Sequence, residues 1–163
     1  MSENAIPTTL KLMPYGFYAL GSHSDDDDNL MVCNWLTQVS FEPQLVALGL
    51  QITSHTYSVI QKGGVFAVSI LRQDDEEAIK PFTKSRAKNP DKMKDAQFTP
   101  GEKTGSPVLD AAAAYFECKV VNVFETGGDH NIILGEVIHA EVRRGGDPGE
   151  TLNLPEVGWS YAG

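Results

Sequence analysis

A chain of 163 residues has room for one domain with a real core and too little for two, and 41% hydrophobic with 21% charged content excludes a disordered segment. Thirteen Lys and Arg against 22 Asp and Glu leave a formal charge of -9. That balance excludes a general nucleic-acid binder, which needs a basic face, but leaves room for one phosphate in a local pocket.

In chain order, residues 1–14 read as a lead-in that ends at Pro14. Residues 15–22 form a first strand, with Phe17, Ala19 and Gly21 on one side. Asp25, Asp26, Asp27 and Asp28 follow; like charges in a row repel, so they belong in an exposed turn closed by Asn29. Their consecutive spacing lacks the alternation and distal Glu of a calcium loop. After a short apolar run at 30–33, residues 34–43 interleave hydrogen-bonding side chains (Asn34, Thr37, Gln38, Ser40) with Trp35 and Leu36 and break at Pro43. This is a polar turn that either satisfies its own backbone or presents ligand groups from the rigid base of the next strand, 44–51.

Thr53, Ser54, His55 and Thr56 then precede a short amphipathic run, 57–62, stopped by Gly63 and Gly64. These are helix start and stop signals, and the start is either an ordinary cap or an anion seat. Residues 65–71 alternate as a strand, with Phe66, Val68 and Ile70 sharing a face. Four acids at 74–77 open a short helical piece. Residues 81–107 are a long polar excursion with a short helix expected near 90–94, and they hold the one cationic cluster, Lys84, Arg86, Lys88, Lys92 and Lys94. Two long strands end the pattern, 114–126 and 131–143, around a tight hairpin of Gly127, Gly128, Asp129 and His130. Alternation places Phe116, Cys118, Val120 and Phe124 opposite Glu117 and Lys119, and groups Ile132, Leu134, Ile138, Ala140 and Val142. Trp159 and Tyr161 in the tail are expected to cover a core edge or a partner subunit.

The whole, residues 1–163, reads as a single mainly β domain, an antiparallel sheet or barrel with a few peripheral helices. Cys33 and Cys118 lack metal-ligand spacing and read as buried free thiols, and the four histidines are scattered, so no metal site is expected. No apolar run reaches the ~18 residues of a membrane span and no leader pattern opens the chain, so no membrane contact and a cytoplasmic setting are expected. Dinucleotide, P-loop, serine-elbow and zincin motifs are absent.

Asn34-Trp35-Leu36-Thr37-Gln38-Val39-Ser40-Phe41-Glu42-Pro43 resembles the segment that marks the flavin reductase-like family of FMN-binding split barrels. Four further pieces stand in the family's order: Ser54-His55-Thr56, Gly64-Val65-Phe66-Ala67-Val68-Ser69, Tyr115-Phe116-Glu117-Cys118, and Gly128-Asp129-His130 with Gly135-Glu136-Val137. The resemblance implies a mainly β fold, an antiparallel Greek-key split β-barrel with a few peripheral helices. It also implies a homodimer with FMN, less often FAD, in a cleft near the subunit interface. By the same resemblance Asn34, Trp35, Leu36, Thr37, Gln38 and Ser40 line the flavin ring and ribityl chain. Ser54, His55 and Thr56 meet the phosphate, with help from Lys84, Ser85 and Arg86, and His130 lies near the ring where a nicotinamide stacks. The implied function is an FMN-dependent NAD(P)H oxidoreductase of the flavin reductase type, serving free flavin, an oxygenase partner or another acceptor. The alternative is a flavoredoxin-like electron carrier without its own nicotinamide activity. Two features depart from the family: Gln44 stands where members often carry a second proline, and the run of four aspartates bears on access to the cleft.

Overall fold

The computed structural model describes residues 5–155, 157 and 158, so the expectation for Trp159 and Tyr161 lies outside the described residues. A short exposed helix, α1 (Ala5–Leu10), leads into β1 (Tyr18–His23), β2 (Asp28–Cys33), β3 (Leu36–Phe41) and β4 (Gln44–Gln51). Then come α2 (His55–Gly63), β5 (Val65–Ile70) and α3 (Glu76–Ile79), the last flanked by 3-10 turns. The short β6 (Phe98–Pro100) and β7 (Pro107–Leu109) precede the long β8 (Ala114–Phe124) and β9 (His130–Val142).

Seven strands make one antiparallel sheet in the order β2-β1-β5-β8-β9-β4-β3, and β6 pairs with β7 apart from it. The strands at the two edges, β2 and β3, are separated in sequence only by Asn34 and Trp35. Three residue steps span at most about 11 Å. Seven strands laid flat would be roughly 29 Å wide at the usual strand spacing. The sheet therefore has to curl until its edges meet at that end, and the seam of the curl is at Asn34 and Trp35. The core agrees: Leu20, Cys33, Leu48, Phe66, Cys118 and Ile133, from strands all along the ladder, form one buried cluster with Tyr57 and Ile60 of α2. That is possible only on the inside of a barrel. α2 also carries the chain from β4 to β5, between β1 and β8, the long return of a Greek-key order. The expected split barrel is the fold observed.

α2 forms where its signals stand. Ser54 Oγ accepts the Tyr57 N–H at 3.1 Å, and Gly64, at φ 68°, ends the helix by donating its N–H to the Ile60 carbonyl at 2.7 Å. A left-handed residue there favours glycine.

Four expectations need correction. Residues 34–43 are not one turn: Leu36–Phe41 is an edge strand paired with β4, only Glu42 and Pro43 turn, and the polar side chains read as loop because the strand is largely exposed. The aspartate run is not wholly exposed: Asp25 and Asp26 are, but Asp28 opens β2 and both Asp27 and Asp28 are half-buried. Residues 90–94 form turns rather than a helix, and the excursion hides the β6–β7 pair. Ile132, Ile138 and Val142 are exposed, while Ile133 is buried.

Glu117 lies on the face expected for it. β8 pairs Cys118 with Phe66 and Glu117 with Ala67, so Cys118 faces the barrel interior and Glu117 the opposite side, where the β6–β7 loop buries it fully. Its carboxylate accepts the Thr104 N–H and hydroxyl, both at 2.7 Å, and the Lys103 N–H at 3.1 Å, pinning the loop between β6 and β7. Glu117→Ala is expected to cost about 1–3 kcal/mol for each N–H it leaves buried without a partner. Glu117→Gln keeps an acceptor and should cost less; equal urea-unfolding midpoints for the two variants would show that the carboxylate is not what holds the loop.

Candidate functional site

The seam of the barrel opens into two adjoining cavities that share Met31, Val32, Gln51 and Ser54. The first, of about 420 Å³, is walled by Cys33, Asn34, Trp35, Gly49 and Leu50 and closed by Asp129 and His130 of the β8–β9 hairpin. The second, of about 680 Å³, runs from Asn29 along Thr53, His55 and Thr56 at the start of α2 to Phe82, Lys84, Ser85, Arg86 and Lys92 of the excursion. Together they make one groove, apolar-walled at the hairpin end and cationic at the helix end.

At the apolar end each wall is fixed by its own partner. Asn34 is buried and donates its amide to the Gly16 carbonyl at 2.9 Å. Trp35 holds the Gly49 N–H on its carbonyl at 2.8 Å, and a Cβ on Gly49 would stand only 3.3 Å from the Trp35 Cβ. The close seat of Trp35 thus depends on that glycine. Its ring lies 4.8 Å from the His130 ring, centroid to centroid, at 57°. His130 Nδ1 is 2.8 Å from the Asp129 carboxylate, a bond that, with the charge it carries, holds the Asp129 carboxyl below its usual value. Asn131 donates to the Tyr57 hydroxyl at 2.8 Å, tying the hairpin to α2. Burial pushes the Cys33 thiol up to about 12, so at neutral pH it is an inert part of the wall and not a nucleophile.

At the cationic end, Thr56 is buried and its hydroxyl accepts from the Asn29 amide at 2.8 Å, which leaves the hydroxyl proton to be donated. Arg86 reaches back from the excursion: Nη2 donates to the Asp28 carbonyl and Nη1 to Asp27 Oδ2, each at 2.7 Å. His55 Nε2 lies 2.5 Å from the same Asp27 oxygen and 3.2 Å from Arg86 Nη1. Partial burial pushes the Asp27 carboxyl up, but the hydrogen bonds and charges of His55 and Arg86 outweigh it and hold it below the usual range. Lys92, only 4% exposed, donates to the Lys84 carbonyl at 3.3 Å; burial first, and then the Arg86 charge, push its ammonium down to about 8.

Of the residues expected at a site, Asn34, Trp35 and His130 line the first cavity, His55, Thr56, Lys84, Ser85 and Arg86 the second, and Ser54 both. Leu36, Thr37, Gln38 and Ser40 lie along β3, outside both linings. Of this segment only the seam residues, Asn34 and Trp35, reach the groove; farther along, Gln38 turns its amide onto the Ser40 carbonyl at 3.1 Å. Asp27, Met31, Gln51 and Lys92 were not expected. Of these, Lys92 left a signal as one cation of a cluster and Asp27 as one of four aspartates in a row. Among the described residues no group of His, Cys, Asp and Glu is arranged to hold a metal ion, and no helix is long and apolar enough to cross a membrane.

Residues 10–155 match the flavin reductase like domain. An uncharacterised protein of Pyrococcus abyssi is 30% identical over 156 residues, covering 91% of this chain and 89% of its own length. The NADH-dependent FAD reductase of Streptomyces globisporus is 35% identical over 111 residues, 68% of this chain. The match spans 60% of that reductase's length, less than two thirds. The solved structure of the Streptomyces globisporus C-1027 NADH:FAD oxidoreductase SgcE6 in complex with NAD and FAD fragments superposes with a TM-score of 0.71 at 30% identity, over 80% of this chain and 76% of the other.

Proposed function

The chain belongs to the flavin reductase like domain family, and we propose on that premise that it is an NAD(P)H:flavin oxidoreductase whose single domain binds FMN in the seam groove. One observation carries the reading: an apolar slot with polar ends runs directly into a pocket of cations at a helix N-terminus. That donor set fits a flavin. Met31, Leu50 and Trp35 offer flat apolar contact for a ring system, Asn34 and Gln51 stand at its polar edges, and Thr56, His55, Arg86 and Lys92 suit a phosphate.

Bound flavin supplies the hydride chemistry, accepting from a reduced nicotinamide and passing electrons on. The chain's own part is to place and shield the reactants. Trp35 and His130 stand together at the hairpin end of the slot, where they would bracket an incoming nicotinamide. The cations suit the terminal monoester of FMN, which is why we favour it over FAD. Phe124, Ile132, Ile138 and Val142 leave exposed apolar side chains on β8 and β9, and Phe41 on β3 is 86% exposed. A second copy of the chain covering these surfaces would make the homodimer, and an oxygenase is the expected acceptor. The cytoplasm, where Cys33 and Cys118 stay reduced as the free thiols they are, is the setting we assign.

The first test is the visible spectrum of the purified protein before and after adding FMN and desalting, followed by NADH and NADPH oxidation with FMN, FAD and riboflavin. Flavin-dependent turnover of either nicotinamide is the expected result. A yellow protein that oxidises neither would replace the reductase with an electron carrier.

A pH dependence follows from Lys92. With its ammonium depressed to about 8, the side chain is charged below that pH and neutral above it. A flavin phosphate loses its second proton near pH ~6, so its charge is constant through this window. FMN affinity should therefore fall as pH rises through and beyond 8, and riboflavin affinity should not. Lys92→Met should flatten the FMN curve; a slope that survives in this variant assigns the titration elsewhere.

A further inference from the structure

The cationic end of the groove already holds an anion of its own. One oxygen, Asp27 Oδ2, contacts both His55 Nε2 and Arg86 Nη1, at 2.5 and 2.7 Å. The imidazole and guanidinium, 3.2 Å apart, converge on it as they would on a phosphate oxygen. Asp27 sits in the bend between β1 and β2, where its backbone is held by Ser24: Ser24 N–H donates to the Asp27 carbonyl at 2.9 Å and Asp27 N–H to the Ser24 carbonyl at 3.3 Å. The backbone is thus anchored, while the side chain is one-third exposed.

We propose that Asp27 is an intramolecular competitor of the flavin phosphate: its carboxylate occupies the His55–Arg86 pair in the free protein and is displaced when the phosphate enters. The proposal rests on the flavin reading above and deepens it. A carboxylate and a phosphate dianion sharing one pair of cations repel each other, so the phosphate gains only the difference between its own contacts and those Asp27 gives up. Flavin then binds as an exchanging substrate rather than a fixed group. In the free protein the carboxylate also keeps Arg86 and His55 aligned, so the excursion stays docked with the groove empty of ligand.

The experiment is a pair of fluorescence titrations, FMN and riboflavin, on the wild-type chain, Asp27→Asn and Asp25→Asn. Riboflavin lacks the phosphate and reports the integrity of the ring site. Asp25 is exposed on the same turn, and its variant makes the same change in net charge. In Asp27→Asn the ratio of riboflavin to FMN Kd should rise tenfold or more with riboflavin Kd unchanged, and Asp25→Asn should leave the ratio as it is. A ratio that stays or falls in Asp27→Asn overturns the proposal, since Asp27 would then position the cations rather than compete for them. An equal rise in Asp25→Asn also overturns it, as an effect of net charge alone. If no flavin binds any of the three proteins, the flavin reading fails by itself. The competition is then read with inorganic phosphate, which must raise the Tm of Asp27→Asn more than that of the wild type; an equal rise overturns the proposal.

Discussion

Phe66→Ala should lower the stability of the chain by about 3–5 kcal/mol, the range for deleting a fully buried aromatic ring. Phe66 has no exposed surface, and it sits in the barrel's main buried cluster. It pairs with Ser22 across the β1–β5 ladder and with Cys118 across β5–β8. Its ring also reaches Gly135 of β9, so closely that a Cβ on that glycine would lie 2.5 Å from Phe66 Cζ. One side chain thus bridges three strands and packs against a fourth. Because these strands are hydrogen-bonded to one another in one curled sheet, they cannot collapse inward one at a time, and much of the space vacated by the ring would remain as a cavity. For a chain of this size about 1 kcal/mol moves Tm by 2–4 °C, so a fall of roughly 10 °C is the expected reading at fixed protein concentration. Gly135→Val tests the same contact from the other side, by overpacking it. A loss under about 1 kcal/mol in Phe66→Ala, with the urea m-value unchanged, would mean that the ring does not fill the barrel as described.

The sequence made the elements around this centre legible where local signals and burial agree. β4 and β5 alternate or run apolar over their whole length, and α2 carries both a capping Ser54 and a terminating Gly64. It misled where burial is decided by partners far along the chain. β3 is polar because it is an edge strand, and polarity alone reads as loop. Glu117 lies on the outer face that alternation gives it, but the β6–β7 loop folds over that face and buries it against Thr104, thirteen residues upstream. The groove divides in the same way. Ser54, His55 and Thr56 are legible because a helix start has a local signature. Thr37 and Gln38 belong to the same motif as Asn34, yet the strand carries them away from the seam. Asp27 was legible only as one of four like charges, and its role depends on Arg86, 59 positions later.

Arg86→Ala should weaken FMN about a hundredfold and riboflavin little. A hundredfold corresponds to about 2.8 kcal/mol, within the range for removing one member of a desolvated, hydrogen-bonded charge pair. Arg86 is the part of the cation set with forked donors: Nη1 faces Asp27 and His55, and Nη2 holds the Asp28 carbonyl. A phosphate replacing Asp27 would inherit Nη1 without disturbing Nη2, so the guanidinium is already oriented for it. Arg86→Lys restores the charge but not the fork, and should recover only part of the loss. The same side chain tethers the excursion to the β1–β2 turn, so the alanine variant also loosens one wall of the second cavity. The two effects separate by ligand. Loss of a phosphate contact weakens FMN alone and makes its binding less dependent on salt, whereas a loosened wall weakens FMN and riboflavin together. Parallel losses for both flavins, with the salt dependence of FMN binding unchanged, would assign Arg86 to holding the fold of the excursion and leave the phosphate to His55, Thr56 and Lys92.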